Sequence, residues 1–460
     1  MLRRMTGSMA AELARLLGDE ALVNGSLQKY GSDATELEGL FSTPEVVVAP
    51  ESSEDVRLLV EWAYRREVPI VPRGGGTGFA GGAVPVDDEL VVDLSRLNRL
   101  RSLDPGLWRM QAEAGMTTAT VHRLARENGL YFAPDPGASE QSQLGGNIAT
   151  NAGGPHAFKY GVTGAWVTGI EAVVAPGELI SVGGPVRKDV AGYDLKSLLI
   201  GSEGTLGIIT AAWLRLMPAP ESRVQIVAAY SETCDGCGAI EAILASGVPA
   251  AAIEFVEGAA LEASREAFPR PLPDAARFVV IAEVDGHPSD TARTGAEVGE
   301  ALEPNSVALW LPNSARETAA LWRWREGVSL AVAAQRGGKV SEDIAVPIDK
   351  LAEAIERTVE IGRDVGLPAC SWGHAGDGNV HSTFLVDTSE TSDLERAQVG
   401  GRRLHELAVR LGGSISGEHG LGWQKRGRLA LQWDRRALEL HREIKRIFDP
   451  KGLMNPGKKV

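Results

Sequence analysis

The sequence predicts an α+β protein of two domains, with a C-terminal segment that returns to the first. Three observations carry this expectation. The chain has 460 residues, well past the size at which one hydrophobic core keeps growing. Its 43% hydrophobic and 23% charged residues are ordinary globular values and exclude disordered and fibrous classes. The texture also changes near Glu221: glycine clusters dominate before it, and strand-like runs alternate with helical ones after it, the pattern of an α+β layer. The boundaries read as 1–220 for the first domain, 221–418 for the second and 419–460 for the returning segment.

Taken in order, Arg3-Arg4 precedes a helix-like Ser8–Gly18 that Glu12 and Arg15 interrupt, so no apolar export signal follows. Val46–Val48 reads as a strand, and Ser52-Ser53-Glu54-Asp55 caps a helix to about Glu67, with Val56, Leu59, Val60 and Ala63 at helical spacing. Strands follow at Val68–Val71 and Leu90–Leu94, and a helix at Thr118–Asn128 stops at Gly129. In the second domain the strands are Val224–Tyr230, Phe278–Glu283 and Val307–Leu311. Helices run to Ser246, around Thr291–Leu302, over Ser314–Gln335 and Ile348–Val365, and up to Leu411. A last helix is expected at Arg435–Ile447.

The net charge of −14 argues against nucleic acid or an anionic membrane as partner, since both demand a basic surface. Any anionic substrate must be drawn in by a local positive pocket. Three cysteines are too few for a disulfide scaffold or an iron–sulfur cluster and fit a reducing, cytoplasmic setting. Cys234-Asp235-Gly236-Cys237 has redox or zinc spacing, but no second pair exists and it reads as a turn opening a helix. No window approaches the roughly 18 apolar residues of a membrane span, so the protein is not expected to be integral to a membrane.

Two glycine-rich blocks punctuate the first domain. After the strand at Val68–Val71 comes Pro72-Arg73-Gly74-Gly75-Gly76-Thr77-Gly78-Phe79-Ala80-Gly81-Gly82-Ala83, where successive glycines let backbone N–H groups converge on one anionic group. The loop lacks the Lys-Ser/Thr ending of a P-loop and the helix that follows a Rossmann glycine loop. It reads either as such a phosphate nest or as a flexible turn. The second block supports the nest: Pro136-Gly137-Ala138, Gly145-Gly146-Asn147 through Asn151, Tyr160-Gly161, and Glu203-Gly204 through Gly207-Ile208. Loops so poor in bulk suit a long ligand lying flat against backbone.

The second domain carries Ser371-Trp372-Gly373-His374-Ala375-Gly376-Asp377-Gly378-Asn379-Val380-His381, holding two of the eight histidines. Asp-Gly between strand formers signals a two-residue type I′ hairpin. That turn pairs His374 directly with His381, whose Cβ atoms would be roughly 4.5–5.5 Å apart, close enough for two imidazoles to share a metal ion. A hydrogen-bonded core pair is the plainer alternative. Glu418 is the candidate third ligand, and the adjacent His419 a candidate base.

On these motifs the sequence resembles the flavoproteins of the vanillyl-alcohol-oxidase and p-cresol-methylhydroxylase fold, in the branch of glycolate, D-lactate and D-2-hydroxyglutarate dehydrogenases. The ending Phe448-Asp449-Pro450-Lys451-Gly452-Leu453-Met454-Asn455-Pro456-Gly457-Lys458 is similar to the family's C-terminal signature, and the resemblance spans nearly the whole chain. It implies a two-subdomain FAD-binding domain and an α+β substrate, or cap, domain. FAD would be held by Arg73, Gly74, Gly75, Gly76, Thr77, Gly78, Phe79, Gly81 and Gly82. The expected contacts continue with Pro136, Gly137, Ala138, Gly145, Gly146, Asn147, Asn151, Tyr160, Gly161, Glu203, Gly204, Gly207, Ile208 and Asn455. Arg73–Pro85 contains no His, Cys or Tyr of the kind that relatives use to attach flavin, so the FAD is expected to be non-covalent.

The resemblance also implies a divalent metal, zinc, on His374, His381 and Glu418. His419 becomes the base, since an imidazole titrates near neutrality, and Arg325 the clamp for a substrate carboxylate. Residue type alone makes a helical arginine a surface group more often than a ligand, and Arg323 is the confounder. Where the 2-hydroxyglutarate enzymes have asparagine two residues after the second metal histidine, this chain has Thr383, and their substrate lysine is replaced by Ser341 with Lys339 displaced by two. The reading therefore leans to oxidation of a small D-2-hydroxy acid of the glycolate or D-lactate class. The alternatives are a D-2-hydroxyglutarate dehydrogenase, or a flavin-binding, non-catalytic subunit of a glycolate-oxidase-type complex. A homodimer or a hetero-complex fits this reading, and the electron acceptor is not identified. Of the other histidines, His122, His405 and His441 read as solvated helix residues, His287 as a turn residue, and His156 has no assigned role.

Overall fold

A computed structural model describes residues 2–35, 40–86 and 89–459, with side chains of the N-terminal helix Leu2–Leu17 described from Met9 onward. The chain divides into two compact units, one of Met1–Gly153, Gly161–Ala219 and Glu418–Val460, the other of Gly154–Tyr160 and Pro220–Gly417.

The first unit contains strands β1 (Val47–Val48), β2 (Ile70–Arg73), β3 (Leu90–Asp93), β4 (Leu100–Asp104), β5 (Arg109–Glu113), β6 (Leu130–Tyr131), β7 (Val167–Val174), β8 (Glu178–Gly183), β9 (Ile208–Arg215) and β10 (Met217–Pro218). They form a parallel sheet β1-β3-β2, a sheet β4-β5-β9-β7-β8 and the pair β10-β6. Helix Ser53–Arg66 starts where the Ser52 hydroxyl accepts the Asp55 N–H, 3.1 Å, and ends at left-handed Glu67. Its apolar stripe, Val56, Leu59, Val60 and Ala63, is fully buried against Val48, Ile70, Leu90 and Val92. The C-terminal segment lies beside the same sheet: Met454 bridges Ile70, the Ile70 N–H donates to Leu453 O at 2.8 Å, and the Asn455 N–H donates to Ile70 O at 2.8 Å.

The second unit is built on one sheet of seven strands: β11 (Ser222–Tyr230), β12 (Ala252–Glu257), β13 (Phe278–Gly286), β14 (Ser306–Trp310), β15 (Gly338–Ala345), β16 (Ala369–His374) and β17 (Asn379–Val386), in the order β14-β11-β13-β12-β16-β17-β15. Alternation along the strands sends Phe255, Phe278, Val280, Ile344 and Val380 to one face, where helices Thr233–Ala245, Pro288–Leu302, Leu351–Val365 and Thr391–Arg410 cover them. Val227, Ala229, Val256, Val279, Ile281 and Trp372 occupy the other face beneath helices Gly258–Ser264 and Ala315–Ala334, which bring Leu261, Leu321, Trp324 and Val328.

Two expectations are corrected. The hairpin is not a two-residue turn: Ala375–Asp377 forms a 3-10 turn, only Gly378 has positive φ (66°), and the register pairs His374 with Asn379 and Trp372 with His381. His405 is not solvated but wholly buried, 3.0 Å from the Glu342 carboxylate on the helix-covered side of β15. The spacing of a helical histidine does not distinguish these cases, because a buried carboxylate supplied from a distant strand decides them.

Candidate active site

In the first unit a cleft opens where β2 delivers its glycine loop. Its walls are Gly74–Ala80 with Gly82 and Ala83, then Pro136–Ala138, Gly145–Asn147 and Gly153, then Glu203, Gly204, Gly207 and Ile208, with Glu418 and His419. Backbone, not bulk, shapes it. A Cβ on Gly75 would strike Gln141 O and one on Gly145 the Ala114 side chain, while Gly76 has φ +67° over the Arg73 guanidinium. Arg73 itself is buried and donates to Ala83 O at 3.2 Å and Lys29 O at 3.1 Å. It therefore braces the loop from behind. Burial lowers its basicity, partly offset by Asp33 and Asp93.

His419 is held within this unit. Its ring stacks on Phe79, centroids 4.7 Å apart and planes 29° apart. The following turn is fixed by the Glu203 carboxylate, which accepts the Leu421 N–H at 3.0 Å and the Gly422 N–H at 2.6 Å, and by Ala80 O, which accepts the Trp423 N–H at 2.9 Å. Glu418 reaches the cleft because Gly153 has no side chain: a Cβ there would lie 2.6 Å from the Glu418 carboxylate. Five residues expected to bind the cofactor do not line the cleft, and four of them brace its loops. Gly81 and Gly161 supply positive φ. Asn151 accepts the Gly164 N–H at 2.8 Å, and Asn455 donates to Gly82 O and Glu203 O at 2.9 and 2.7 Å. Tyr160 belongs to the second unit, where its hydroxyl donates to Asp285 at 2.8 Å.

Among the described residues, two polar atoms of the cleft are buried with no hydrogen-bond partner, Gln143 Oε1 and Asp33 Oδ2. Burial raises the Asp33 carboxyl above its ordinary range. Buried oxygens of this kind call for donors from a ligand, and together with the glycine cradle they fit a long polyhydroxylated dinucleotide with a pyrophosphate.

In the second unit the apolar sheet face beneath helix Ala315–Ala334 gives way to ionisable side chains. Register places Glu254 opposite His374, Trp372 and Asp343 on either side of His381, and Ser341 opposite Thr383. Residues opposite or two apart share a face, so the altered hairpin register still brings the two imidazoles together, 5.4 Å between centroids and nearly perpendicular. His374 Nδ1 lies 2.6 Å from Glu254 Oε1, and Arg325 Nη2 lies 2.6 Å from Glu254 Oε2. Arg325 is buried while Arg323 is exposed. Asp343, wholly buried, accepts from Asn379 Nδ2 at 2.6 Å and Ser416 Oγ at 2.9 Å. Gly417 packs so closely on Asn379 that no side chain would fit, which fixes the chain one residue before Glu418. Ser341 Oγ and Thr383 Oγ1 are 2.7 Å apart, and burial lowers Lys339, further along the same face, to about 8.

Residues 154–160 also belong to this unit. His156 meets Glu283 at 2.8 Å, and Lys159 meets Asp285 at 2.5 Å. Burial works to raise the Glu283 carboxyl, but His156, Gln225 and Arg223 together leave it below the ordinary range. Sequence reading missed Glu254, Asp343, Gln143 and this role of His156. For Glu254 a signal existed: it is the lone acid in the apolar run Ala250-Ala251-Ala252-Ile253-Glu254-Phe255-Val256, and a charge inside a buried strand must be paired.

Residues 44–183 match the FAD binding domain model and residues 219–459 the model of FAD linked oxidases, C-terminal domain. The chain belongs to the FAD-linked oxidases. Among curated members it is 32% identical to the glycolate oxidase subunit GlcD of Bacillus subtilis over 99% of this chain and 97% of the relative. It is 35% identical to a D-2-hydroxyglutarate dehydrogenase of Xanthomonas citri (94% and 92%) and 35% identical to a D-lactate dehydrogenase of Archaeoglobus fulgidus (90% and 91%). The fold is that of p-cresol methylhydroxylase, TM-score 0.81 at 17% identity, covering 99% of this chain and 96% of that one. This FAD-linked oxidase is thus an enzyme, and no helix among its described residues is long and apolar enough to cross a membrane.

Proposed function

We propose that this enzyme oxidises a small D-2-hydroxy acid of the glycolate or D-lactate class to the 2-oxo acid. FAD, bound non-covalently in the glycine cleft, would take the hydride from the substrate's α-carbon. The observation that carries the reading is the buried face on which His374 and His381 stand 5.4 Å apart beside a buried Arg325. An ion pair of arginine and carboxylate is the natural clamp for an acid group. Two imidazoles, one with its Nδ1 on a carboxylate, suit a divalent ion of the zinc type, and Glu418 is the third ligand that the family resemblance implies. Such an ion would lower the pKa of the α-hydroxyl.

His419, held by Phe79 and the Glu203-capped turn, takes the hydroxyl proton as the C–H bond breaks and the C=O bond forms. The relatives' names, which cover glycolate, D-lactate and D-2-hydroxyglutarate, support the substrate class. One observation favours a second reading, a dicarboxylic acid: Lys339 lies buried on the same face, two residues before Ser341. Turnover of glycolate, D-lactate, L-lactate and D-2-hydroxyglutarate with an artificial dye acceptor decides between them. A preference for glycolate or D-lactate is expected. Preference for D-2-hydroxyglutarate, lost in Lys339→Met, establishes the second reading, and no turnover of any 2-hydroxy acid refutes both.

A further inference from the structure

We infer that Glu254 is a positioning residue that ties the substrate arginine to a metal-binding histidine, so that one carboxylate sets both points at which the hydroxy acid is gripped. The inference rests on the proposed roles of Arg325 and His374. Glu254 stands in β12 directly opposite His374 and is fully buried. Its two oxygens are divided between two partners, Oε1 to His374 Nδ1 at 2.6 Å and Oε2 to Arg325 Nη2 at 2.6 Å. Both distances lie at the short end for charge-assisted contacts.

Each contact has a distinct consequence. A carboxylate on Nδ1 keeps the proton there and leaves the lone pair of His374 on Nε2, turned away from Glu254, which is how an imidazole is oriented toward an ion. On the arginine side, a long side chain with several rotamers is fixed through a single Nη. The contact is an ion pair whose angles lie outside hydrogen-bond geometry, so that among the described residues Arg325 Nη2 and Nε are both buried without a hydrogen-bond partner, as donors awaiting a planar carboxylate would be. A carboxylate is required because both partners present donors. An amide could accept from one of them but would turn its NH2 group toward the other. Charge balance alone does not account for the arrangement, since an acid paired only with Arg325 would not need to stand in register with His374.

The test uses purified, FAD-loaded full-length protein and its Glu254→Gln and Glu254→Asp variants, with zinc affinity measured by chelator competition beside KM, kcat, flavin occupancy and melting temperature. In Glu254→Gln, zinc affinity is expected to fall 10–100-fold and KM for the hydroxy acid to rise at least about tenfold. Flavin occupancy should stay at the parent value. Glu254→Asp keeps the charge on a shorter arm that cannot reach both partners, so it should damage either zinc affinity or KM far more than the other. A folded Glu254→Gln protein with zinc affinity and KM both within about twofold of the parent overturns the inference, and if that variant does not fold, equal behaviour of Glu254→Asp and the parent overturns it. Failure of the underlying reading looks different, because a parent that binds no zinc, or whose KM is indifferent to Arg325→Ala, shows it before any Glu254 variant is made.

Discussion

The cleft of the first unit and the buried sheet face of the second are lined by different parts of the chain. The cleft is made of glycines, short loops and backbone amides, with Gln143 and Asp33 as its buried orphan oxygens. The sheet face is made of ionisable side chains, His374, His381, Glu254, Asp343 and Lys339, set by strand register into one apolar layer, with Arg325 brought to them by helix Ala315–Ala334. A nest of amides suits a large, constant cofactor whose phosphates need many weak, distributed donors. A small substrate offers few atoms, so its recognition must come from charged groups in a dry setting, each contributing much. Damage should therefore be graded in the cleft and abrupt on the sheet face.

The largest effects are expected on the sheet face. His374→Ala and His381→Ala should each abolish bound divalent metal and turnover while flavin absorbance remains at the parent level, and metal analysis beside the visible spectrum checks this. Flavin lost together with metal would break the division of labour between the two regions. His419→Gln, in the cleft but chemical in role, should lower kcat by 10²–10⁴-fold with metal and flavin retained. Arg325→Ala comes next. Losing a charged hydrogen-bonding group raises KM by about 10–100-fold, against little change for exposed Arg323→Ala, and initial rates over a range of hydroxy acid separate them. In the cleft, Gly76→Val forces a branched side chain into φ +67° against the Arg73 guanidinium. Strain of about 1–3 kcal/mol should weaken flavin binding by about tenfold, seen as partial flavin occupancy with normal turnover per bound flavin.

How much of this was legible in the sequence differs between the regions for the same physical reason. Glycine has a local meaning, so the loops at Gly74–Gly78 and Gly145–Gly146 announce themselves, as do the helix cap at Ser52 and the helix stop after Thr118–Glu127. The histidine pair was legible through its spacing, but the register was not: Asp377-Gly378 suggests a two-residue turn, while the chain adds a 3-10 turn and shifts the pairing. The pair survived the shift because His374 and His381 share a face under either pairing. Glu254 stands out as a lone acid in an apolar run, but its partner was not legible, and Asp343 gave no signal, since each acquires its meaning from a strand more than 30 residues away in sequence. His405 failed for that reason too, its partner Glu342 being supplied by another element.

The smallest effect on activity is expected at Glu257, which sharpens the comparison by showing a buried acid of the same strand as Glu254 without a charged partner. Glu257 points to the opposite face, accepts one N–H from Ser371 at 2.7 Å, and has no ion pair among the described residues. Burial pushes its carboxyl up to about 7, the backbone hydrogen bond offsetting only part of that rise. Below about pH 4.5 the group is protonated in both folded and unfolded chains and costs nothing. Between there and pH 7 the folded chain holds the proton more tightly, so stability falls as pH rises, and above pH 7 the full penalty of a buried charge is present. Glu257→Gln keeps the shape and the hydrogen-bond acceptor but cannot ionise. It should match the parent near pH 4.5 and melt a few degrees higher at pH 8, a gain on the order of 1–3 kcal/mol, with kcat and KM unchanged. Melting curves from pH 4.5 to 8 read this directly. A variant that is less stable than the parent at pH 8 would mean that the Glu257 charge is compensated after all, and that paired acids are the rule on both faces of the sheet.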